Sequence, residues 1–257
     1  MSTQFAERFR GKERLLGTFA KFPTSHACEI LGEAGLDFVI IDQEHAPLGR
    51  SALDQILLGC KVSGLAGLVR VPDFSDVLCA LDTGAAGILV PHVYDLERAQ
   101  KLVALARYRG GERGFSNTNR AGGYGRVGMH DHIARQDRDV LALAMIEDQA
   151  AIENVDTILR LDGLDGIFVG QGDLTVSMGA ESPRSPEVRD AVSKVLAAAR
   201  NVGKPVCIMA ADAEGASFFE TLGASAFVVS NDQGLMRQAA LRLVDAFKAI
   251  PAPALKE

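Results

Sequence analysis

The chain has 257 residues, with 27 Lys and Arg against 33 Asp and Glu, and a formal net charge of −6. This acidic balance argues against nucleic acid or an anionic membrane surface as the main partner. The N-terminal segment has no apolar signal-peptide core, and no apolar run has the length of a membrane span. We therefore expect a cytoplasmic protein that binds small molecules.

The four cysteines lie in apolar segments, and no two of them have CxxC spacing. This pattern is typical of buried reduced thiols, with a disulfide or zinc role as the alternative. The cysteines are Cys28, Cys60, Cys79 and Cys207.

One sequence pattern recurs along the chain: an amphipathic stretch ends in Gly, and an apolar run follows within a few residues. Examples are LGEAGLDFVIID, LRLDGLDGIFVG and ETLGASAFVVS. Glycine readily takes the left-handed conformation that ends a helix, so we predict helix ends at Gly35, Gly84, Gly203 and Gly223. The apolar runs lack alternation, which is typical of parallel strands covered on both faces.

Eight such runs predict eight strands, with helical segments between most of them. About 250 residues of alternating strands and helices favour one closed (β/α)8 TIM barrel over residues 1–257 rather than an open sheet. No GxGxxG follows the first strand, which disfavours a dinucleotide site. The predicted strands are Leu15–Ala20, Phe38–Asp42, Gly67–Val71, Gly87–Val90, Leu141–Glu147, Gly166–Gly170, Pro205–Met209 and Ala226–Ser230.

Residues 108–136 form an unusually long interval, rich in Gly, Arg and Asn, between the fourth and fifth predicted strands. Long irregular segments are usually functional loops or mobile. We interpret this one as an active-site or subunit-interface loop, with a mobile surface loop as the alternative. His130 and His132 within it are interpreted as surface or loop polarity rather than as zinc ligands. The C-terminal PAPALKE is expected to be a short tail or a cap on a neighbouring subunit.

Polar residues directly follow several predicted strands, where the active site of a (β/α)8 barrel forms. Glu147 and Asp173 would come from adjacent strands and offer an oxygen-rich site suited to Mg²⁺ or Mn²⁺. The alternative is that each carboxylate caps the helix after it.

Arg70 ends an apolar run, so its guanidinium needs an anionic partner. The partner is either a substrate carboxylate or enolate oxygen, or a structural Asp such as Asp73 or Asp76. His45 lies three residues after Asp42, which could fix its tautomer and raise its basicity. His92 also ends a strand, but its sequence neighbours offer no comparable carboxylate.

Five segments in order resemble the HpcH/HpaI family of class II pyruvate aldolases, from about Leu16 to Phe247. They are IIDQEHAP, LVRVP, GILVPHV, AMIEDQAAIENVD and GLDGIFVGQGDLTVSMG. The resemblance implies a barrel of the phosphoenolpyruvate/pyruvate type whose C-terminal helix is swapped between subunits. It also implies a homo-oligomer, either a hexamer or a trimer of dimers.

The same resemblance assigns roles to residues. Mg²⁺, Mn²⁺ or Co²⁺ would be held by Glu147 and Asp173. Arg70 would contact the keto or enolate oxygen of the 2-oxo acid, and His45, paired with Asp42, would help a water to move the proton. Backbone N–H groups around Gly172 and Asp173 would hold the substrate carboxylate. Arg120, in the RAGGYG segment, is a candidate contact for the aldehyde or a neighbouring subunit.

The expected reaction is reversible cleavage of a 4-hydroxy-2-oxo acid to an aldehyde and pyruvate or a related 2-oxo acid such as hydroxypyruvate. Lys61 and Lys204 do not end strands, so a Schiff-base mechanism is disfavoured. Gln43 and Gln171 depart from the family pattern and bear on substrate preference. The alternatives are an acyl-CoA lyase using the arginines near residue 110, and a catalytically silent barrel that acts as a binding protein.

Overall fold

A computed structural model describes residues 2–251 of the chain. Eight parallel strands close into a barrel in sequence order, which confirms the predicted (β/α)8 architecture. Each strand lies within about a residue of its predicted place. The strands are β1 (Leu15–Ala20), β2 (Phe38–Asp42), β3 (Ala66–Arg70), β4 (Gly87–Val90), β5 (Leu141–Ile146), β6 (Gly166–Val169), β7 (Val206–Met209) and β8 (Ala226–Asn231).

Helices surround the barrel, and a short 3₁₀ helix (Phe74–Asp76) directly precedes the fourth of them. The α-helices are α1 (Ser2–Arg10), α2 (Ser25–Glu33), α3 (Arg50–Ser63), α4 (Val77–Asp82), α5 (Leu96–Ala106), α6 (Met129–Asp139), α7 (Gln149–Leu159), α8 (Gln171–Ser177), α9 (Pro186–Val202), α10 (Ala213–Leu222) and α11 (Asp232–Lys248). None of these helices is long and apolar enough to cross a membrane.

The apolar core has two layers, which explains why the strands lack alternation. In β2, Phe38 and Ile40 point into the barrel, whereas Val39 and Ile41 pack against the outer helices. All four side chains are fully buried, because both faces of the sheet are covered. This rigid barrel fixes the positions of the residues at the strand ends.

The predicted helix ends are confirmed at all four glycines. Gly35, Gly84, Gly203 and Gly223 have φ of 93°, 101°, 73° and 110°, the left-handed region that favours glycine. Each follows a helix and precedes a strand by a few residues. The recurring Gly therefore marks the turn from each of these helices into the barrel.

Helix α1 was not predicted, because the N-terminal segment is mostly polar and charged. Its buried face carries Phe5 and Phe9, which are 4% and 1% exposed. Phe5 lies 5.6 Å from Phe38 between ring centroids, so α1 closes the N-terminal end of the barrel. Two apolar side chains, one turn apart, are the signal that the charged residues obscure.

The long interval of residues 108–136 is less irregular than expected, because α6 begins within it at Met129. The interpretation of His132 as surface polarity is wrong. Its side chain is 1% exposed, and its Nε2 lies 3.1 Å from the hydroxyl of Tyr108. It also packs edge-on against Phe115. This cluster joins the start of the interval to α6. The expected roles of PAPALKE fall mostly on residues 252–257, outside the part that the structure describes.

Replacing Phe9 by Ala should lower the free energy of unfolding by about 3–5 kcal/mol, because it opens a cavity between α1 and the barrel. Urea unfolding followed by circular dichroism measures this change. As a control, Phe218→Ala removes a ring that is 48% exposed and should cost under about 1 kcal/mol. Equal losses of unfolding free energy in the two variants would contradict the conclusion that α1 closes the N-terminal end of the barrel.

Candidate active site

A buried ion pair joins the ends of two neighbouring strands at the mouth of the barrel. Asp42 and Arg70 are register partners at the ends of β2 and β3. Arg70 Nε donates to Asp42 Oδ1 at 2.9 Å, and Nη2 lies 2.8 Å from Oδ2. Asp42 is thus the acidic partner of Arg70, rather than Asp73 or Asp76. Burial raises the pKa of Asp42, but Arg70 and Lys21 outweigh it and lower the pKa to about 2.

Arg70 lies on an apolar floor, which fixes its guanidinium plane. Its Cζ is 4.9 Å from the centroid of the Phe19 ring, and its Nη1 faces the sulfur of Met145 at 3.9 Å. Glu44 Oε2 approaches Nε at 3.3 Å. Cation–π contact and low exposure strengthen the electrostatic effect of this charge on any bound anion.

His45 lies at the mouth, but its predicted pairing with Asp42 is wrong for the side chain. The backbone N–H of His45 donates to Asp42 Oδ1 at 3.1 Å. The ring is 53% exposed and its Nε2 lies 3.7 Å from Glu44 Oε2. Asp42 is buried beneath the turn that carries His45, so its carboxylate faces inward to Arg70. Glu44, which the sequence analysis did not single out, is the acid beside the His45 ring.

Glu147 follows β5 directly and its side chain is buried, with 1% exposure. Oε1 accepts the backbone N–H of His92 at 2.8 Å, whereas Oε2 has no hydrogen-bond partner among residues 2–251. Burial raises the pKa of Glu147 to about 7. His92 opposes this rise, and the nearby charges of Asp173 and Glu44 add to it. The pair from adjacent strands, Glu147 and Asp173, is thus close enough to interact electrostatically.

The helix-capping alternative for these carboxylates does not hold. The N-cap of α7 is Asp148 and that of α8 is Gly170, so neither Glu147 nor Asp173 occupies a cap position. Gly170 matters for a different reason: a Cβ there would lie 2.8 Å from Glu147 Oε2. Only glycine leaves room for the carboxylate at this place.

A divalent cation fits this arrangement. A buried carboxylate oxygen without a partner, beside a second carboxylate, is a hard oxygen donor set that lacks a positive charge. Over residues 2–251 no group of three or more His, Cys, Asp or Glu side chains is placed to hold a metal ion. Glu147 and Asp173 would therefore leave coordination positions for water and substrate oxygens.

His92 lies in this site, as its position after a strand allowed, although no carboxylate near it in sequence indicated its partners. It has a left-handed backbone with φ of 53°, and Arg98 Nε donates to its carbonyl at 2.7 Å. The ring Nδ1 lies 3.2 Å from Asp148 Oδ2 and the ring Nε2 lies 4.0 Å from Glu44 Oε1. The strained backbone directs its N–H at Glu147 and its ring toward three acids.

Lys21 is a second residue that the sequence analysis missed. It follows the last residue of β1, Ala20, directly, and its Nζ lies 2.9 Å from Asp42 Oδ2. Its position directly after a strand is where a Schiff-base lysine would lie, unlike the positions of Lys61 and Lys204.

The first turn of α8 presents backbone N–H groups to the mouth. The first hydrogen bond of this helix runs from Leu174 N to Gly170 O at 3.0 Å, so the N–H groups of Gly172 and Asp173 have no acceptor within the helix. A Cβ on Gly172 would meet no atom within 4 Å, so this turn is open. It is suited to an anionic group.

The two glutamines that depart from the family pattern are bound to backbone carbonyls. Gln43 Nε2 donates to Leu48 O at 3.0 Å, and Gln171 Nε2 donates to Met209 O at 2.9 Å. Their amides therefore brace the loops around the mouth.

Arg120 lies away from the mouth of its own chain, so the expected aldehyde contact is not formed within one subunit. Its Nη2 pairs with Asp54 Oδ1 at 2.7 Å on α3, and its stem packs on Gly84, before β4. The loop is held there because Ala121 N donates to Asp82 O. A contact to a neighbouring subunit stays a prediction.

Replacing Glu147 by Gln should stabilise the metal-free protein at high pH. The folded-state pKa of about 7 lies above the ordinary 4.5, so the folded chain holds this proton more tightly and loses stability as pH rises from about 4.5 to about 7. We expect a gain of roughly 3 kcal/mol at pH 8, in urea unfolding with EDTA, and little gain at pH 5. Glu153→Gln, an exposed change on α7, is the control. Unaltered Mn²⁺ affinity in Glu147→Gln would refute the ligand assignment.

Known proteins share sequence and structure with this chain over most of its length. The sequence profile of the HpcH/HpaI aldolase/citrate lyase family matches residues 16–239. A 5-keto-4-deoxy-D-glucarate aldolase of Enterobacter sp. (strain 638) is 34% identical over 249 residues, which cover 95% of this chain and 96% of that protein.

Two solved structures extend the similarity to three dimensions. An HpcH/HpaI aldolase/citrate lyase family protein from Burkholderia cenocepacia J2315 has a TM-score of 0.90 at 29% identity, covering 96% of this chain and 100% of that one. The citrate synthase SbnG has a TM-score of 0.85 at 27% identity, covering 95% and 97%. The profile spans most of the chain, and the chain therefore belongs to the HpcH/HpaI aldolase/citrate lyase family.

Proposed function

We propose that this family member is a divalent-metal-dependent aldolase. It would reversibly cleave a 4-hydroxy-2-oxo acid to an aldehyde and pyruvate or a related 2-oxo acid such as hydroxypyruvate. The observation that carries the proposal is the buried Glu147 carboxylate beside Asp173, in the same mouth as Arg70. Its Oε2 has no hydrogen-bond partner among residues 2–251. Similarity to a 5-keto-4-deoxy-D-glucarate aldolase supports it.

Glu147 and Asp173 would hold the metal, with Mg²⁺, Mn²⁺ or Co²⁺ as the ions expected. When bound, such an ion acts as a Lewis acid that makes the C3 protons of a 2-oxo acid more acidic. The N–H groups of Gly172 and Asp173 would receive the substrate carboxylate. The substrate would thus be contacted by the α8 turn at its carboxylate and by the guanidinium of Arg70 at its keto oxygen.

Arg70 would stabilise the charge that develops on the enolate oxygen. Two of its nitrogens are engaged with Asp42, so the plane of the guanidinium is fixed before substrate arrives and no reorganisation is needed in the reaction. Its Nη1 carries two N–H groups; one faces the weakly accepting sulfur of Met145, and the other would donate to the substrate. His45, half exposed beside Glu44, would remove or deliver the proton through a water.

The acyl-CoA lyase alternative is disfavoured by the placement of the arginines near residue 110. Arg113 has a fully buried side chain that lies 4.4 Å from the Tyr108 ring centroid, and Arg107 pairs with Asp165 at 2.6 Å. Of the three clustered arginines, Arg107, Arg109 and Arg113, two are thus bound inside the fold and do not form a surface for CoA phosphates.

Wild-type protein with Mn²⁺ should exchange the C3 protons of pyruvate for deuterium, and EDTA should abolish the exchange. Loss of the methyl signal in proton NMR measures the rate without knowledge of the aldehyde. Arg70→Ala should lose at least about 100-fold in rate, as when an oxyanion donor is removed. Arg14→Ala, an exposed change far from the mouth, is the matched control.

Absence of exchange with every metal tested would favour the silent barrel. A covalent adduct trapped by borohydride with pyruvate would instead indicate Schiff-base chemistry and contradict the metal-dependent mechanism.

We also propose a homo-oligomer, a hexamer or a trimer of dimers, in which α11 packs on a second copy of the chain as a swapped helix. The last turns of α11 carry large apolar side chains that one chain leaves uncovered: Leu243 is 60% exposed and Phe247 is 66% exposed. Exposed apolar area of this kind marks protein interfaces.

The free thiols of the four cysteines support a reducing, cytoplasmic location.

Changing Leu243 and Phe247 together to Arg should dissociate the oligomer, because two charges would be buried in the interface. Size-exclusion chromatography with light scattering gives the mass directly. Phe247→Leu keeps the apolar character and should leave the mass unchanged. A single mass for wild type and the double variant would exclude this helix from the interface.

A further inference from the structure

The backbone of Lys21 is fixed between the ends of two strands. The N–H groups of Lys21 and Phe22 both donate to Asp232 Oδ2, each at 2.9 Å. Asp232 is 6% exposed and begins α11, directly after β8. A buried carboxylate that accepts two N–H groups holds this turn rigidly. The Lys21 side chain therefore starts from a defined place at the rim of the barrel.

The side chain of Lys21 reaches an atom that Arg70 also contacts. Lys21 Nζ lies 2.9 Å from Asp42 Oδ2, and Arg70 Nη2 lies 2.8 Å from the same oxygen. Both contacts are close ion pairs to the same oxygen. Oδ1, by contrast, accepts directed bonds from Arg70 Nε and His45 N. One oxygen is directionally bonded and the other is shared by two cations.

This arrangement decides how strongly Arg70 is held. Asp42 is fully buried, so its charge needs compensation, and losing a partner from a buried pair is costly. With Lys21 present, one carboxylate lies between two cations. The guanidinium then supplies only part of that compensation and keeps positive charge for another anion. Without Lys21, Arg70 would be the remaining cation at Oδ2.

We propose that Lys21 is a positioning residue of the active site. By sharing Oδ2 of Asp42 with Arg70, it keeps the guanidinium oriented and its charge available to the substrate oxygen. This inference rests on the proposed function, because it concerns the oxygen that Arg70 is proposed to stabilise. An ammonium in an ion pair has no free lone pair, so the same contact argues against a Schiff base at Lys21.

The test compares Lys21→Met and Lys21→Arg in the metal-loaded exchange assay with pyruvate. We expect Lys21→Met to lower kcat about tenfold or more with KM changed less than about threefold, because an effect through Arg70 appears in the transition state. Lys21→Arg, which keeps the charge, should restore most of the rate. Lys101→Met removes a lysine paired on the surface with Glu112 and should match wild type.

A second readout does not depend on activity. In protein labelled with ¹⁵N-arginine, Lys21→Met should shift the Nε–H signal of Arg70, and Lys101→Met should not. If wild type exchanges no protons, the proposed function fails, and this signal still decides whether Lys21 sets the environment of Arg70. If Lys21→Met does not fold, Lys21→Gln takes its place in both measurements.

Three results would overturn the positioning role. Lys21→Met with wild-type kcat and an unmoved Arg70 signal would remove any link between the two residues. An increase confined to KM would make Lys21 a direct substrate contact. A borohydride-trapped pyruvate adduct on Lys21 would make it the nucleophile, and would contradict the metal-dependent mechanism as well.

Discussion

The site depends on one buried ion pair, between Asp42 and Arg70. The two residues are neighbours only because β2 and β3 end in register, so the barrel closure itself brings opposite charges together away from water. Such a pair contributes little net stability, since desolvation offsets the attraction. Its value is geometric: the guanidinium is held in one plane above Phe19, and the turn with Glu44 and His45 is built around the same carboxylate.

The opposite electrostatic condition holds at Glu147. There the fold buries a carboxylate and adds the charges of Asp173 and Glu44, and His92 opposes their effect. The same mouth thus contains a carboxylate between two cations, Asp42, and a buried carboxylate beside other acids, Glu147. An arrangement that costs stability and persists is typical of a functional site. Burial of apolar side chains in the two-layered core beneath the site offsets this loss of stability.

The strands and most helix ends were predictable from sequence because they depend on local pattern: apolar runs, and glycine where φ is positive. The carboxylates Glu147 and Asp173 were predictable because a parallel barrel places strand ends together. The side-chain direction of His45 was not, since it depends on the turn that buries Asp42. His92 was obscured for a similar reason, as its backbone conformation directs it toward acids distant in sequence. The contacts of Arg120 were not predictable either, because Arg120 lies in a long loop whose path no local sequence pattern specifies.

Asp232 gives the C-terminal helix a mechanical connection to the mouth. Asp232 is the first residue of α11, and its carboxylate accepts the two N–H groups of the turn after β1. The direction of the helix axis and the position of that turn therefore cannot vary independently. Whatever α11 packs against therefore bears on the geometry of the barrel mouth. Substitutions on the exposed face of this helix would therefore affect the rate of the reaction as well as the formation of the oligomer.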